Sequence, residues 1–321
     1  QIIWDTITPI NDIEQCDLDS ALDRVLAEDV VSPINVPGFD NSAMDGYAIR
    51  HQDLSSAKTF NLVGKSFAGN PFNGELGKHQ CVRIMTGAQI PEGADAVVMQ
   101  ENTVANNNEI TVTHSVKLGE AIRIAGSDIA KKSIVLSKGK RLNAIDIGLL
   151  ASIGISNVPV LRKLKVALFS TGDELLQPGD TPQQGKIFDS NRPMLRAMLR
   201  RLGAEVLDLG VIEDDPDKIR DAFIQADANA DCVITSGGVS VGEADYTREI
   251  LEEIGQVDFW KLAIKPGKPL AFGRLDNSLF FGLPGNPVSA AVTFDQIAAP
   301  SLSLLAGCTP EGKIAVKAIA K

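Results

Sequence analysis

The sequence predicts an α/β protein with a doubly wound, mostly parallel sheet and a β-rich domain inserted in a small discontinuous helical linker domain. Three observations carry that expectation. Strand-like and helix-like segments alternate after residue 162, short β-prone runs fill 37–136, and helical patterns flank those runs on both sides. The expected boundaries are 1–36 with 137–161 for the linker, 37–136 for the insert and 162–307 for the α/β domain. Residues 308–321 lie beyond these.

In order along the chain, Leu22, Val25 and Leu26 stand at helical spacing and predict a helix over Leu18–Val31. Pro33 and Pro37 then stop regular structure. Phe60–Val63, Cys81–Met85, Ala96–Met99, Ile110–Val112 and Ser133–Leu136 read as strands punctuated by Gly and Asn. A second helical pattern covers 141–158. The α/β half begins with strand Leu164–Phe169 and helix Asn191–Leu202, whose first turn suits Pro193 and whose end suits Gly203. Met194, Leu195, Met198, Leu199 and Leu202 form its expected buried stripe. Strand Glu205–Leu209, helix Pro216–Ala228, strand Cys232–Thr235 and helix Tyr246–Ile254 follow. Strands Asp258–Ala263, Leu270–Phe272 and Leu279–Phe281 lead to a last helix over Val288–Leu305.

Composition narrows the function classes. The 321 residues are 44% hydrophobic and 22% charged, a globular composition too long for one ordinary core. Net charge is −10 with no basic run, which argues against nucleic acid and anionic membranes as partners. Cys16, Cys81, Cys232 and Cys308 follow no CxxC spacing, and His51, His79 and His114 form no HxxH set. Zinc and a disulfide framework are therefore not expected, and a reducing, cytoplasmic setting is. No leader pattern or 18-residue apolar stretch is read.

Three glycine-bearing loops fall where an open α/β sheet binds ligands, outside the carboxyl ends of its strands. They are Ser170-Thr171-Gly172-Asp173-Glu174, then Ser236-Gly237-Gly238-Val239-Ser240-Val241-Gly242, then Gly282-Leu283-Pro284-Gly285-Asn286-Pro287. Glycine lets backbone N–H groups approach phosphate oxygens, and a following helix adds a positive end. None matches a Walker or dinucleotide fingerprint. Lys265 and Lys268, on a proline-stiffened turn, suit a diphosphate or else a solvated basic hairpin. Glu174 and Asp245 are candidate Mg²⁺ ligands within such loops. Asp214 stands before a helix, where a carboxylate is as often a cap. In the first half, Val36–Ala48 has neither strand nor helix periodicity, and long irregular loops are often functional.

The blocks VPGFDNSAMDGYA, RIMTGA with PEGADAVVMQE, FSTGDEL, TSGGVSVGEADY, KLAIKPGKP and GLPGNPVSA, in this order, closely resemble the molybdopterin molybdenumtransferase (MoeA) family, related to the gephyrin E domain. GLPGNP and TSGGVS are shared with other molybdopterin-binding domains, whereas DNSAMDGYA is specific. The resemblance implies insertion of molybdate into adenylylated molybdopterin with Mg²⁺, release of AMP and formation of molybdenum cofactor. It implies a homodimer whose cleft lies between the α/β domain of one subunit and the β domain of its mate. It also implies a C-terminal β domain that 308–321 would begin and whose remainder the sequence is expected to lack.

Carried over by position, Asp45, Thr86 and Asp128 would line the cleft from the β domain, with Arg123 beside them. Glu174, Asp214, Asp245, Lys261, Lys265, Lys268, Pro284 and Pro287 would line it from the α/β domain. Thr171, Gly172, Ser236, Gly237, Gly238, Ser240, Gly285 and Asn286 would hold the substrate. Glu174, Asp214 and Asp245 would organise Mg²⁺. The segment 122–128 keeps Arg123 and Asp128 but has Ser127 where the family often carries Glu. Two alternatives stand beside this reading. Adenylyl transfer onto molybdopterin would not require DNSAMDGYA, and the enzyme performing it is an expected partner. A non-catalytic molybdopterin-binding scaffold could dispense with the acidic and lysine positions, which are all present.

Overall fold

The computed structural model describes residues 2–237, 246–261 and 269–309. Its contacts divide it into two compact units, one of Gln1–Glu28, Ser137–Ile147 and Asn157–Lys321, the other of Asp29–Leu136 and Gly148–Ser156.

The first half of the chain opens with α1 (Ile2–Asp5), β1 (Ile13–Asp17), β2 (Val30–Val31), β3 (Asn41–Ser42) and β4 (Gly46–Ile49). Then come β5 (Thr59–Ser66), β6 (Gln80–Ile84), β7 (Ala96–Met99), β8 (Thr103–Asn106) and β9 (Glu109–Val112). Short β10 (Ile122–Arg123) and β11 (Ile134–Leu136) lead to α2 (Ala144–Ser152) and β12 (Asn157–Leu161). The second half runs β13 (Lys165–Thr171), β14 (Leu175–Leu176), β15 (Ile187–Phe188), α3 (Asn191–Arg201), β16 (Glu205–Ile212) and α4 (Pro216–Asn229). It continues through β17 (Cys232–Ser236), α5 (Tyr246–Ile254), β18 (Gln256–Lys261), β19 (Pro269–Arg274) and β20 (Leu279–Leu283). The last helix is α6 (Pro287–Leu305).

Six of these strands form the α/β sheet in the order β16-β13-β17-β20-β19-β18. β16, β13, β17 and β20 are parallel, while β19 runs antiparallel to both its neighbours. This is the doubly wound, mostly parallel arrangement that the alternation predicts. The two-residue period of β13 explains the layering. Val166 and Leu168 pack with Leu195 and Leu199 of α3 and with Phe294, Ala298 and Leu302 of α6. Ala167 and Phe169 pack with Ile219 and Phe223 of α4 and with Ile250 and Leu251 of α5. On that second face Phe169, Phe223 and Phe280 meet edge to face, with centroids 5.1 and 5.6 Å apart.

The other unit holds a six-stranded sheet in the order β7-β4-β6-β5-β9-β8, antiparallel except for β5 with β6. Ile49, Phe60, Cys81, Val98 and Ile110 fill one core cluster, and Ala48, Ile84, Ala88 and Val97 fill another. Neighbouring strand residues thus serve opposite faces. Cys16, Cys81, Cys232 and Cys308 form no disulfide with one another.

The expected helix over Leu18–Val31 is not formed. Only a single 3-10 turn, Leu18–Ser20, is helical, and Asp23 takes φ +62°, which breaks any continuation. Val25 and Leu26 are buried through bridges to Arg141 and Val160, while Leu22 stays exposed. Their helical spacing reflects long-range bridging rather than a helix stripe. The pattern over 141–158 resolves into α2 and then β12. Asn143 accepts from the N–H groups of Ile145 and Asp146, and Asp146 accepts from Asn143 N–H, a reciprocal cap. Gly154, at φ +78°, ends that helix before the strand begins.

By length and composition α6 could cross a membrane. Ala290, Phe294, Ala298, Leu302 and Leu305 nevertheless join the core of the sheet, so its apolar character is accounted for by packing.

Candidate functional site

The chain leaves β13 through α3 to reach β16 on one side, and leaves β17 through α5 toward β18, β19 and β20 on the other. The boundary between β13 and β17 is therefore a topological switch point, where loops diverge and open a crevice. Ser170 lies level with Ser236 there, and Ser236 lies level with Leu283 of β20. The loops holding Thr171-Gly172, Ser236-Gly237 and Pro284-Gly285-Asn286-Pro287 consequently come together at one edge of the sheet.

Gly237 shows why this edge needs glycine. Its φ is +94°, and a Cβ there would lie 2.9 Å from the carbonyl oxygen of Thr171. Its N–H also donates to the Leu283 carbonyl at 3.3 Å, so it ties the loops after β17 and β20. Asn286 caps α6, accepting from Ser289 N–H at 3.1 Å, and Pro287 occupies the first turn.

The carboxylates gather on the β13 and β16 loops. Asp173 N–H donates to the Asp214 carboxylate at 3.3 Å, and Asp214 N–H donates to the Asp173 carboxylate at 3.1 Å. The Glu174 carboxylate folds back over Gly172, where an added Cβ would lie 2.6 Å from it. Partial burial of its carboxyl group, together with the negative charges of Asp173 and Glu174, pushes Asp214 above the ordinary carboxylate range. The helix cap is Asp215, which accepts from Asp217 and Lys218 N–H groups. Asp214 is thereby left for the loop cluster. Among the described residues no three His, Cys, Asp or Glu side chains converge with metal-holding geometry.

In the β-rich unit, Asp45 directly precedes β4. Its carboxylate accepts from both the N–H and the hydroxyl of Thr86, each at 2.8 Å. Those bonds, the backbone one foremost, with Arg83 nearby, hold its carboxyl below the ordinary range. Arg83 donates to the Gly46 carbonyl at 3.1 Å, pairs with Gln100 and lies over the Tyr47 ring at 5.0 Å. Arg123 sits on β10, opposite Asn41 of β3. Asp128 N–H donates to the Val36 carbonyl; the run 36–48 that the sequence suggested was irregular in fact carries β3 and, from Gly46, the core strand β4. The structure joins Asp45 to Thr86 directly and places Arg123 and Asp128 along the segment that pairs with residues 36–43.

Gly238, Ser240, Asp245, Lys265, Lys268 and the side chain of Lys261 lie outside the described residues. Sequence reasoning passed over Arg83, Gln100 and Asn191. Asn191 donates through Nδ2 to Ser236 Oγ and to the Gly285 carbonyl, each at 2.7 Å. Its signal was the polar pair Ser190-Asn191 ahead of Pro193, which reads as an ordinary helix start.

This architecture defines the class first. Residues 167–303 match the family model described as a probable molybdopterin binding domain, an α/β domain with its glycine loops at the switch point. Residues 1–154 match the MoeA N-terminal region, domains I and II. The chain belongs to the MoeA family. It is 53% identical over 295 residues to a molybdopterin molybdenumtransferase of Haemophilus influenzae, covering 92% of this chain and 73% of that one. It is 36% identical to gephyrin of Dictyostelium discoideum, covering 92% of this chain and 47% of that protein. Among solved structures, a molybdopterin biosynthesis MoeA protein of Pyrococcus horikoshii superposes with a TM-score of 0.83 at 32% identity, covering 96% and 78%.

Proposed function

We propose that the protein inserts molybdate into adenylylated molybdopterin, releasing AMP and forming molybdenum cofactor. The observation that carries this reading is the carboxylate cluster of Asp173, Glu174 and Asp214 beside a glycine-walled switch point, in a chain of the MoeA family.

The donor set fits Mg²⁺, which takes one or two carboxylates and completes its shell with phosphate oxygens and water. Partial desolvation first, and then the negative charges of Asp173 and Glu174, raise the Asp214 carboxyl, and a divalent ion would neutralise those charges. Glu174 and Asp214, with Asp245, would hold the ion. When bound it would offset the diphosphate charge and polarise the phosphoryl oxygens. Ser236 and the backbone at Gly237 bind the phosphate side of the pterin. Thr171, Gly172 and the loop from Pro284 to Pro287 shape the floor, and Lys261, Lys265 and Lys268 balance the charge of the diphosphate. Asp45, positioned by Thr86, acts with Asp128 and Arg123 to orient molybdate or the leaving nucleotide.

The two units each carry only part of this residue set, which supports a homodimer as the working form. A cytoplasmic setting fits four cysteines that form no disulfide with one another. The adenylylating enzyme that supplies the substrate is a natural partner.

The deciding assay supplies adenylylated molybdopterin, molybdate and Mg²⁺ and follows AMP. Release that requires both molybdate and Mg²⁺ is the expected result. Formation of adenylylated product from ATP and molybdopterin would move the activity to the adenylyltransferase step. Tight molybdopterin binding with no AMP would leave a scaffold.

A further inference from the structure

We infer that Asn191 is a positioning residue that turns Ser236 into a hydrogen-bond donor toward the phosphate end of the substrate, an inference that rests on the function proposed above. Asn191 is 7% exposed and opens α3 at the carboxyl edge of the sheet. Its Nδ2 reaches two loops at once, donating to Ser236 Oγ and to the Gly285 carbonyl at 2.7 Å each. A carbonyl oxygen only accepts, so the amide nitrogen must face Gly285 and the amide orientation is set. Ser236 Oγ therefore accepts a hydrogen bond from Asn191, and its own hydroxyl hydrogen is left to donate. The described residues record no protein acceptor for that hydrogen.

Two further observations point to a ligand. Among the described residues Asn191 Oδ1 is buried with no partner, and so is Ser170 Oγ, which stands level with Ser236 across β13 and β17. Buried polar atoms are almost always paired, so two unpaired ones beside one hydroxyl mark a place where polar groups of a bound molecule arrive. The amide is also held independently of the loops it joins. Arg192 N–H and Nε donate to Asp189 at 3.1 Å each, and its Nη1 donates to both Asp208 oxygens at 2.8 and 2.9 Å. The start of α3 is thus anchored on the carboxylates of Asp189 just before it and Asp208 on β16, and the loops are fastened to it.

The test is a double-mutant cycle in the full chain. Asn191→Ala and Ser236→Ala should each raise KM for adenylylated molybdopterin about tenfold, with kcat changed by less than about threefold. The double variant should be no worse than either single one, because both remove the same donor. Asn191→Asp, the same shape without the amide donors, should raise KM at least as far. Dissociation constants for molybdopterin, from fluorescence titration, should follow the same pattern without reference to turnover. Effects that multiply in the double variant, an unchanged KM in either single one, or a loss confined to kcat would overturn the inference. So would loss of the folded far-ultraviolet spectrum in both Asn191 variants, which would make the residue structural. A wild-type chain that releases no AMP yet shows the coupled binding losses would sink the proposed reaction and leave the Asn191 role standing.

Discussion

Two carboxylates, Asp45 in the β-rich unit and Asp214 in the α/β unit, have been pushed in opposite directions by their surroundings. Asp45 is exposed, receives two hydrogen bonds from Thr86 and has Arg83 nearby, and its carboxyl falls below the ordinary value of 3.8. Asp214 faces Asp173 and Glu174, loses part of its water to burial, and rises above that value. The difference teaches what each half of the chain lacks. Asp45 is already satisfied as an anion and oriented by its own protein. Asp214 belongs to a cluster with surplus negative charge, which nothing among the described residues around it offsets as Thr86 and Arg83 do for Asp45.

The sharpest way to break this contrast is Asp45→Ala. Its loss should cut molybdate-dependent AMP release on the order of a thousandfold, while the far-ultraviolet circular dichroism spectrum stays that of the folded protein. Turnover within a few-fold of wild type would remove Asp45 from the reaction. Next in size is Gly237→Ala. The positive φ and the 2.9 Å approach to a backbone oxygen should cost about 1–3 kcal/mol in chemical denaturation. Weakened molybdopterin binding should accompany that loss, since the same backbone closes the switch point.

The pH dependence of stability separates the two carboxylates by sign. A carboxyl raised in the folded state holds its proton more tightly there than in the unfolded chain. Ionising Asp214 therefore removes stability as pH rises from the unfolded value through the folded one. Asp214→Asn should gain on wild type across that window, and saturating Mg²⁺ should shrink the gain by stabilising wild type more. For Asp45 the order reverses: its contribution is present above the unfolded value and disappears as pH falls through the depressed folded one. Asp45→Asn should then lose to wild type at neutral pH and draw level in acid. Tm measured from pH 3 to 7 reads both, and slopes of the same sign would erase the distinction.

The smallest effect is expected away from either site. Gly148 lies inside α2 with nothing within 4 Å of an added Cβ. Gly148→Ala should stabilise by about 0.5–1 kcal/mol through helix propensity, with AMP release unchanged. A destabilised variant would show that this glycine, like Gly237, answers a demand of its surroundings.

Much of this was legible beforehand. The alternation after residue 162, the start of α3 at Asn191 and the glycine loops at Thr171-Gly172 and Pro284-Gly285-Asn286-Pro287 are local patterns, and the structure keeps them; the loop after Gly237 lies outside the described residues. The helix expected over Leu18–Val31 failed because Val25 and Leu26 are buried against Arg141 and Val160, partners more than a hundred residues away. By position Asp214 could be a loop ligand or a helix cap, and only the observed hydrogen bonds give the cap to its neighbour Asp215.

What the sequence determined alone was therefore whatever depends on near neighbours. That includes strand and helix periodicity, turns that require glycine, and the family blocks. The tertiary structure decided which polar atoms meet: Thr86 with Asp45, Asp173 with Asp214, Asn191 with Ser236 and Gly285. Such pairings are set by the register of strands distant in sequence, and no local pattern encodes that register.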